Sequence, residues 1–484
     1  MHTLLLNHSQ RLLILALTVL ILLPSSLFAD NLPDIGDSAG QILTPDDERR
    51  IGENFFRQLQ QNAKIVDDPE INQYIQSLGK VLASNSDSPF QAYHFFIIDN
   101  DAINAFAVPG GYIGIHSGLI FAARNEGELA SVLAHEIAHI TQRHIARAIE
   151  ARSKASPINT AALLAAILLG ATGNGQAATA AAASSVAGSA QASINFTRAN
   201  EKEADRTGIA ILARSGINPS AMPDFFGRLE QASRVYKSAL PEFLRTHPVT
   251  QSRIADSRAR ADQFDNSGRK DSEYFQLIKA KLRVLLSSNK AAQLTQFQSD
   301  AAKKDASAAS KYGLAIALSK NGQYDKARKQ LKKLLAESPD NTHYTNALAR
   351  VEIRSNNDDA ALKLLKNGFE LSPHNRAITL NYAEALILNN QADKAQQLLR
   401  EHILRSNQPS ANTYKLLAEA LGKTDATIEA HESLAEYHHL SGQRQEAINQ
   451  LEIAAKIAKR KDKLASQRIE ARLEQLKPKK ENRS

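Results

Sequence analysis

Two histidines and a glutamate in the segment Ser131–Ile140 have the spacing that a metal-dependent hydrolase needs. His135 and His139 are four residues apart, so on a helix they lie on one face and can present two imidazoles to one metal ion. Glu136 lies beside the first histidine, where it can take a proton from a water molecule at that metal. Two ligands are too few for a catalytic zinc ion, so a third must come from elsewhere in the chain.

The residues around this motif predict the helix that such a site requires. From Asn125 to about Ala151 the chain is rich in strong helix formers, and Asn125 is a candidate N-cap. Apolar residues recur at helical spacing; they are Leu129, Val132, Leu133, Ile137 and Ile140. An amphipathic helix with incidental histidines is the alternative. Burying two histidines and a glutamate on such a helix would, however, be costly without a purpose.

An acidic segment downstream offers the third ligand. Glu201 and Asp205 are four residues apart and share one helical face, whereas Glu203 points elsewhere. Glu201 is therefore the best candidate ligand. Asp205 either holds a ligating imidazole by its distal N–H or has a structural role, and Glu203 is expected to be a solvated charge.

Three further side chains are candidates for roles around the metal. His247 is expected on a loop near the cleft. It could stabilise the oxyanion of the tetrahedral intermediate, occupy the open zinc position and keep the enzyme latent, or be a surface histidine without a role. Arg253 is a candidate oxyanion or supporting partner. His144 is expected to cap or pack near the end of the active-site helix.

The amino terminus predicts export. After Arg11 comes an apolar run of about a dozen residues and then Pro24–Ala29, the pattern of a secretory signal. The run is short for a spanning helix, which needs about 20 residues. We expect cleavage after Ala29 and a periplasmic destination in a Gram-negative cell, with an uncleaved anchor as the alternative. The chain has no cysteine, which excludes disulfides and the lipoprotein route.

The charge balance and one segment of low complexity indicate which partners the protein can have. Lys and Arg number 59 against 51 Asp and Glu, a formal charge of +8. With an export signal and no nucleic-acid motif, this balance favours peripheral contact with an anionic membrane surface, and no nucleic acid. The Ala-rich segment 156–195 is expected to be a lid over the active site, or a membrane-inserted loop.

The C-terminal third repeats with a period of 34 residues. The copies are marked by Gly322–Ala327 with Pro339, by Ala361 with Pro373, by Asp393–Ala395 and, out of phase after an insertion, by Ser441–Ala447. Ala and Pro at fixed places in such a period are typical of tetratricopeptide helix pairs. Stacked pairs form a curved solenoid with a concave peptide-binding surface. An unrelated helical bundle is the alternative.

Taken together, the motifs resemble the Ste24/HtpX-type zinc peptidases, most closely the periplasmic members that append a tetratricopeptide domain. The resemblance is carried by His135–His139 with Arg143-His144, Glu201–Asp205, Asn104–Ile113, Thr246–Arg253 and the repeats. It implies one Zn²⁺ per chain, held by His135, His139 and Glu201. It also implies that Asn104–Ile113, read as a strand and a tight turn, edges the cleft and pairs with an extended substrate.

We therefore expect a mainly α protein, with a gluzincin-type metallopeptidase domain that contains a small β-sheet, followed by an α-solenoid of tetratricopeptide repeats. The expected boundaries are a signal peptide over 1–29, a zinc metallopeptidase domain over 30–265, a repeat domain over 266–475 and a basic tail over 476–484.

The resemblance further implies a periplasmic zinc endopeptidase with chaperone-like activity. Such an enzyme promotes assembly of outer-membrane β-barrel proteins and degrades misassembled ones. Its partners would be unfolded or stalled outer-membrane proteins and, through the repeat domain, the β-barrel assembly machinery. Two alternatives are a largely latent chaperone with an autoinhibited zinc site, and a repeat scaffold for which the peptidase fold is only a platform.

Overall fold

The computed structural model describes residues 43–89, 91–153, 190–235, 241–265, 272–406 and 408–477. For 151–153, 190–197 and 233–235 it describes the backbone alone. The expected signal peptide, most of the Ala-rich segment and nearly all of the basic tail therefore lie outside the described residues. So do residues 266–271, beside which the expected domain boundary falls.

The amino-terminal part of the described chain begins with two long helices, α1 (Pro45–Asn62) and α2 (Pro69–Ser84). Three short strands follow: β1 (His94–Ile98), β2 (Ala105–Val108) and β3 (Tyr112–His116). The remaining helices are α3 (Ser117–Ala122), α4 (Glu126–Thr141), α5 (His144–Ser153), α6 (Ala190–Arg214), α7 (Ala221–Val235), α8 (Glu242–Thr246) and α9 (Gln251–Ala261).

The three strands form a sheet in the order β1-β3-β2, in which β3 pairs parallel with β1 and antiparallel with β2. Among the described residues, β2 is thus an edge strand, as expected for Asn104–Ile113. The turn between β2 and β3 contains Gly110 and Gly111 at φ angles of 81° and 85°. A Cβ at Gly111 would lie 1.9 Å from the Ala92 carbonyl oxygen, so only glycine fits this turn.

Helix α4 lies in the middle of the main hydrophobic core and is buried on all sides from Glu126 to Ala138. The Asn125 side chain accepts a hydrogen bond from the Glu128 N–H, which confirms the expected N-cap. One expectation was wrong: the helix does not continue to Ala151. It stops at Thr141, and α5 starts at His144 after Arg143 takes a φ of 51°, a left-handed conformation that ends the helix.

The second half of the described chain consists of stacked helices. They are α10 (Glu273–Leu286), α11 (Lys290–Ala301), α12 (Ala308–Lys320), α13 (Tyr324–Glu337), α14 (Thr342–Arg354), α15 (Asp358–Leu371), α16 (Arg376–Leu388), α17 (Ala392–Arg405), α18 (Ala411–Gly422), α19 (Thr427–Leu440), α20 (Arg444–Lys461) and α21 (Lys463–Leu476). With the small sheet, they confirm the expected fold class. No helix in the described ranges is both long and apolar enough to cross a bilayer.

The turns inside the helix pairs repeat in conformation as well as in sequence. Gly322, Asn356 and Asn390 follow one another at 34-residue intervals, and all three have positive φ angles. Asp425 and Gly442 adopt the same conformation. Helices α18 and α19 lie between the third and the last predicted copies, and the turn between them at Asp425 comes 35 residues after Asn390.

The repeats dock onto the amino end of α2 through buried polar contacts. Lys281 on α10 forms ion pairs with Glu70 and, at 2.8 Å, with Asp68. Glu70 also accepts a hydrogen bond from Asn346 Nδ2 at 3.1 Å and lies 3.0 Å from His343 Nδ1. Burial alone would raise the pKa of Glu70, but Lys281 and His343 outweigh it and lower the pKa to about 2.

Helix α1 joins the same two parts at a second place. Near its start, Glu48 accepts a hydrogen bond of 2.9 Å from Arg143 at the end of the α4 helix. Near its end, the Gln60 and Gln61 side chains donate to the carbonyl oxygens of Leu440 and Gly442 in the repeats, at 2.7 and 3.3 Å. One helix therefore contacts both the turn that ends α4 and the turn between α19 and α20.

We predict that Lys281→Met destabilises the protein, because it leaves the buried Glu70 carboxylate without its ammonium partner. The expected loss is about 3 kcal/mol of unfolding free energy, measured by urea denaturation. Lys303→Met removes an exposed lysine that pairs with Asp300 and should leave the unfolding midpoint unchanged. Equal effects of the two substitutions would show that the Glu70 contacts do not stabilise the docked arrangement.

Candidate metal centre

Four side chains from three parts of the fold converge between α4, α6 and the end of α8. His135 and His139 come from α4, Glu201 from α6, and His247 from the residue that caps α8. One nitrogen or oxygen of each lies within 4.8 Å of all the others. The structure thus brings together the three ligands expected from the sequence, and it adds His247 to them.

The distances within this cluster fit a zinc ion. His135 Nε2 lies 3.0 Å from His139 Nε2 and 3.3 Å from Glu201 Oε2. Glu201 Oε1 lies 3.5 Å from His139 Nε2. Ligand atoms about 2.1 Å from a tetrahedral ion lie about 3.4 Å from one another, and two imidazoles with one carboxylate are a known catalytic zinc set.

Close packing of α4 and α6 makes this convergence possible. Gly208 follows Glu201 by two helical turns on the same face of α6. A Cβ there would lie 3.2 Å from the His135 main-chain nitrogen and 2.9 Å from the Met222 side chain. The absence of a side chain at Gly208 therefore lets α6 approach the His135 backbone closely.

A buried carboxylate and a guanidinium contact the candidate ligands. Asp205 Oδ1 lies 3.0 Å from His135 Nδ1, the nitrogen that faces away from the cluster. Arg253 donates to both Asp205 oxygens at 2.8 and 2.7 Å, and its third nitrogen lies 3.0 Å from Glu201 Oε2. Arg253 is thus engaged by carboxylates and orients them, in keeping with the supporting role considered for it.

These contacts also set the charge of the two central groups. Burial opposes protonation of His135, but Asp205 and Glu201 outweigh it and raise its pKa to about 10. Burial would raise the pKa of Glu201, yet the surrounding histidines, His247 first among them, hold it well below its usual range. The cluster therefore combines a carboxylate with a cation, and a metal ion would take the place of the imidazole proton.

His247 is not on the surface. Its Nδ1 lies 3.0 Å from Glu201 Oε1 and 3.3 Å from His135 Nε2, and the residue is 8% exposed. Its Nε2 lies 3.5 Å from Glu136 Oε1. The alternative of a surface histidine without a role is therefore wrong, and His247 reaches both the candidate ligand cluster and the candidate base.

Glu136 is 1% exposed, and its Oε1 makes no hydrogen bond to any described residue. Burial raises the pKa of Glu136, and the nearby charge of Glu201 raises it further. His247 and His135 act in the opposite direction and lower this pKa. A main-chain hydrogen bond from Ala107, on the edge strand β2, also acts on this carboxylate. The candidate base therefore lies between the metal ligands and the sheet edge.

A second set of side chains supports the candidate ligand His139, and the sequence did not predict its contacts. His144 Nδ1 lies 2.8 Å from His139 Nδ1, and its other nitrogen lies 3.2 Å from Glu203 Oε2. Arg147 also donates to Glu203, at 3.0 Å. The Glu203 side chain is 37% exposed, so it is partly solvated as expected, and it is also ion-paired. His144 packs against the distal nitrogen of His139.

We predict that His144→Ala lowers zinc affinity by about tenfold or more, because His139 loses the partner that orients its ring. Competition with a chelator of known affinity would measure this. The matched control is Lys202→Ala, which removes an exposed side chain next to Glu201. A variant at His144 that binds zinc like the wild type would remove this histidine from the metal centre.

Comparisons with known proteins agree with this arrangement. The model of peptidase family M48 matches residues 69–261, which include all of the cluster. The tetratricopeptide repeat model matches residues 294–351 and 353–420. Both matches fall in the parts of the chain that the structure shows as the peptidase unit and the stacked helices.

Curated relatives give a closer match. The beta-barrel assembly-enhancing protease of Escherichia coli (strain K12) is 41% identical over 330 residues, which is 68% of this chain and 67% of the relative. A putative protease of the same name from Vibrio cholerae is 42% identical over 321 residues, 66% of each chain. The mitochondrial metalloendopeptidase OMA1 of Arabidopsis thaliana is 26% identical over 185 residues, 38% of this chain and 35% of the relative. The chain therefore belongs to peptidase family M48, as a metallopeptidase related to the beta-barrel assembly-enhancing proteases.

Proposed function

We propose that this metallopeptidase is a zinc-dependent endopeptidase whose ion is held by His135, His139 and Glu201. The observation that carries the proposal is the buried convergence of these side chains at distances that suit one tetrahedral ion. When bound, zinc supplies Lewis-acid polarisation of a peptide carbonyl and of the attacking water. Asp205 and Arg253 keep His135 and Glu201 in position for that ion.

The protein's own acid–base chemistry is assigned to Glu136. Its buried Oε1, which makes no hydrogen bond to the described residues, can accept the proton of the attacking water and then return it to the leaving amine. The edge of β2 lies beside it, and an extended substrate can pair there through main-chain hydrogen bonds. Pairing of this kind is independent of side chains and suits a peptidase with broad sequence tolerance.

We predict that Glu136→Gln reduces cleavage of an unfolded protein substrate by about 10²–10⁴-fold, because the amide cannot accept the proton. Zinc content and client binding should be retained, since Glu136 is not a ligand. Metal analysis and a gel-based cleavage assay on the same preparation would test both points. Cleavage that persists at the wild-type rate would show that Glu136 is not the base.

We further propose that His247 keeps the resting enzyme latent as a fourth ligand. Its Nδ1 contacts Glu201 at 3.0 and 3.1 Å and approaches His135 Nε2 to 3.3 Å, which is the position of a ligand atom. A fourth protein ligand fills the site that a catalytic zinc ion keeps open. The second candidate role is oxyanion stabilisation, for which Nε2 would have to turn toward the substrate.

His247→Ala should raise the cleavage rate several-fold while zinc remains bound, because water gains access to the open position. The rate is measured under saturating zinc, so that a change in affinity does not enter. A decrease would instead favour the oxyanion role. No change in either direction would remove His247 from the mechanism.

We propose that the enzyme acts on β-barrel proteins, as the names of its relatives suggest. The export pattern of the amino terminus leads us to propose the periplasm as its compartment and outer-membrane proteins as its clients. It would promote their assembly with a chaperone-like activity and degrade those that stall. The repeats would hold clients or the assembly machinery, since stacked helix pairs present concave binding surfaces. A signal peptide over 1–29 and peripheral contact with the membrane belong to the same proposal. A largely latent chaperone is the second candidate, favoured by the place of His247.

A further inference from the structure

The turn between the last two helices, α20 and α21, is strongly basic and exposed. Four of the five residues from 459 to 463 are cations, Leu464 follows them, and all six side chains are exposed. The cations are Lys459, Arg460, Lys461 and Lys463. A chain advances at most about 3.6 Å per residue, so their backbone positions lie within about 14 Å of one another. We call residues 459–464 the basic tip.

The four cations keep their charge within the described part of the chain. There, none of their side chains forms an ion pair or a hydrogen bond. The acidic residue of the turn, Asp462, is the N-cap of α21 and accepts from the N–H groups of Leu464 and Ala465 at 3.0 Å. The neighbouring Glu432 pairs with Arg468 at 2.8 Å. The tip thus presents four cations against one carboxylate that is already engaged.

Helix electrostatics explains only part of this composition. Cations in the last turn of α20 are favourable, because the carbonyl groups at a helix C-terminus carry partial negative charge. Lys463, however, is the first residue of α21, where the helix end is partially positive and a cation is unfavourable. Its position does not stabilise the fold and points to an anion outside the chain.

Leu464 lies outside the core to which its helix belongs. It is 77% exposed, whereas Ala465 and Ile469 on the same helix are buried. A single exposed leucine is common and has no meaning by itself, and Leu371 on α15 is 71% exposed. Leu371 follows Glu370, whereas Leu464 follows four cations in the preceding five positions. It is the combination of cations and an apolar side chain that distinguishes the tip.

The corresponding turns of the repeats do not share this composition. Residues 338–341, between α13 and α14, and residues 372–375, between α15 and α16, contain Ser-Pro and neither Lys nor Arg. Joining one helix pair to the next therefore does not require cations. The turn at the basic tip is nevertheless well fixed, since the Asp462 N–H donates to the Ala458 carbonyl oxygen at 2.7 Å.

The size and chemistry of the tip favour a membrane surface over a protein as its partner. A specific protein interface buries about 800 Å² on each side and takes about 20–30 residues, far more than one exposed turn supplies. An anionic bilayer attracts a short cluster of Lys and Arg and takes up an adjacent apolar side chain at the boundary between headgroups and acyl chains.

We propose that the basic tip is the surface by which this protein contacts an anionic lipid bilayer, with its four cations at headgroup phosphates and Leu464 inserted among them. The inference deepens the peripheral membrane contact of the proposed function, on which it rests, by assigning that contact to one turn. It places the attachment at the end of the repeats, in a part of the chain remote in sequence from the metal ligands.

The test is vesicle flotation with the processed, zinc-loaded protein. One set of vesicles contains phosphatidylethanolamine and phosphatidylglycerol, and the other contains phosphatidylcholine alone. The wild type should float with the phosphatidylglycerol vesicles and not with the neutral ones. Binding should fall as salt is added, because salt screens the attraction between the cations and the lipid phosphates.

Variants then assign the binding to the basic tip. Replacing Lys459, Lys461 and Lys463 together by Gln should weaken binding to the phosphatidylglycerol vesicles about 100-fold, since each cation near an anionic surface contributes about fivefold. Leu464→Ser should weaken it about tenfold, because an apolar side chain no longer leaves water. Thermal unfolding should be unchanged in both variants, since all four side chains are exposed.

Matched controls distinguish the tip from the overall charge of the protein. Replacing Lys326, Lys329 and Lys332 on α13 by Gln removes the same number of exposed cations from another helix. Leu371→Ser removes an equally exposed leucine. Both controls should bind the vesicles within about twofold of the wild type, because neither changes the tip.

Tip variants that bind the vesicles like the wild type would overturn the proposal, as would controls that lose as much affinity. A wild type that binds neither kind of vesicle would also overturn it and would favour an acidic protein surface as the partner. Flotation does not depend on cleavage. A chain that binds vesicles through the tip but never cuts a substrate would therefore contradict the proposed peptidase function and leave the lipid contact intact.

Discussion

The structure depends on a group of buried charges between α4, α6 and α9. Taking an ion out of water costs several kcal/mol, so a carboxylate such as Glu201 can lie in the core only if it is fully paired. Arg253 and His135 supply those pairs, with Asp205 between them. The helices must therefore keep their relative positions for the core to be stable, and the same positions define the metal centre. Fold and site rest on one set of interactions.

Local geometry explains what could be predicted from the sequence. His135 and His139, like Glu201 and Asp205, are separated by four residues, and helical periodicity alone puts each pair on one face. The role of Glu203 was not visible in the same way. It meets His144 because the helix breaks at Arg143, and a left-handed φ in an arginine has no clear signal in the sequence. The place of His247 in the cluster likewise depends on packing between distant segments.

In the repeats, too, the local features were predictable from the sequence and the long-range contacts were not. Turns at Gly322, Asn356 and Asn390 lie in regular sequence contexts, so the 34-residue period was readable. The turn between α18 and α19 was not read as a copy, because Asp425 stands where the other turns have glycine or asparagine, although Ala430 occupies the same place as the alanines of the other copies. The docking of the repeats onto α2 had no signal at all. Glu70 looks like an ordinary acidic residue in a first helical turn, and only its distant partners reveal its burial.

The two contacts of helix α1 fix the number of residues between them. Glu48 contacts the end of the α4 helix, and Gln60, 12 positions later on the same helix, contacts the repeat turn at Leu440. In a straight helix these two positions are separated by about 18 Å, and each added residue turns the far end by about 100°. An insertion or deletion of one residue between them would aim one contact away from its partner. Variation in the number of residues along this stretch should therefore be tolerated poorly, although its outward-facing side chains can change freely.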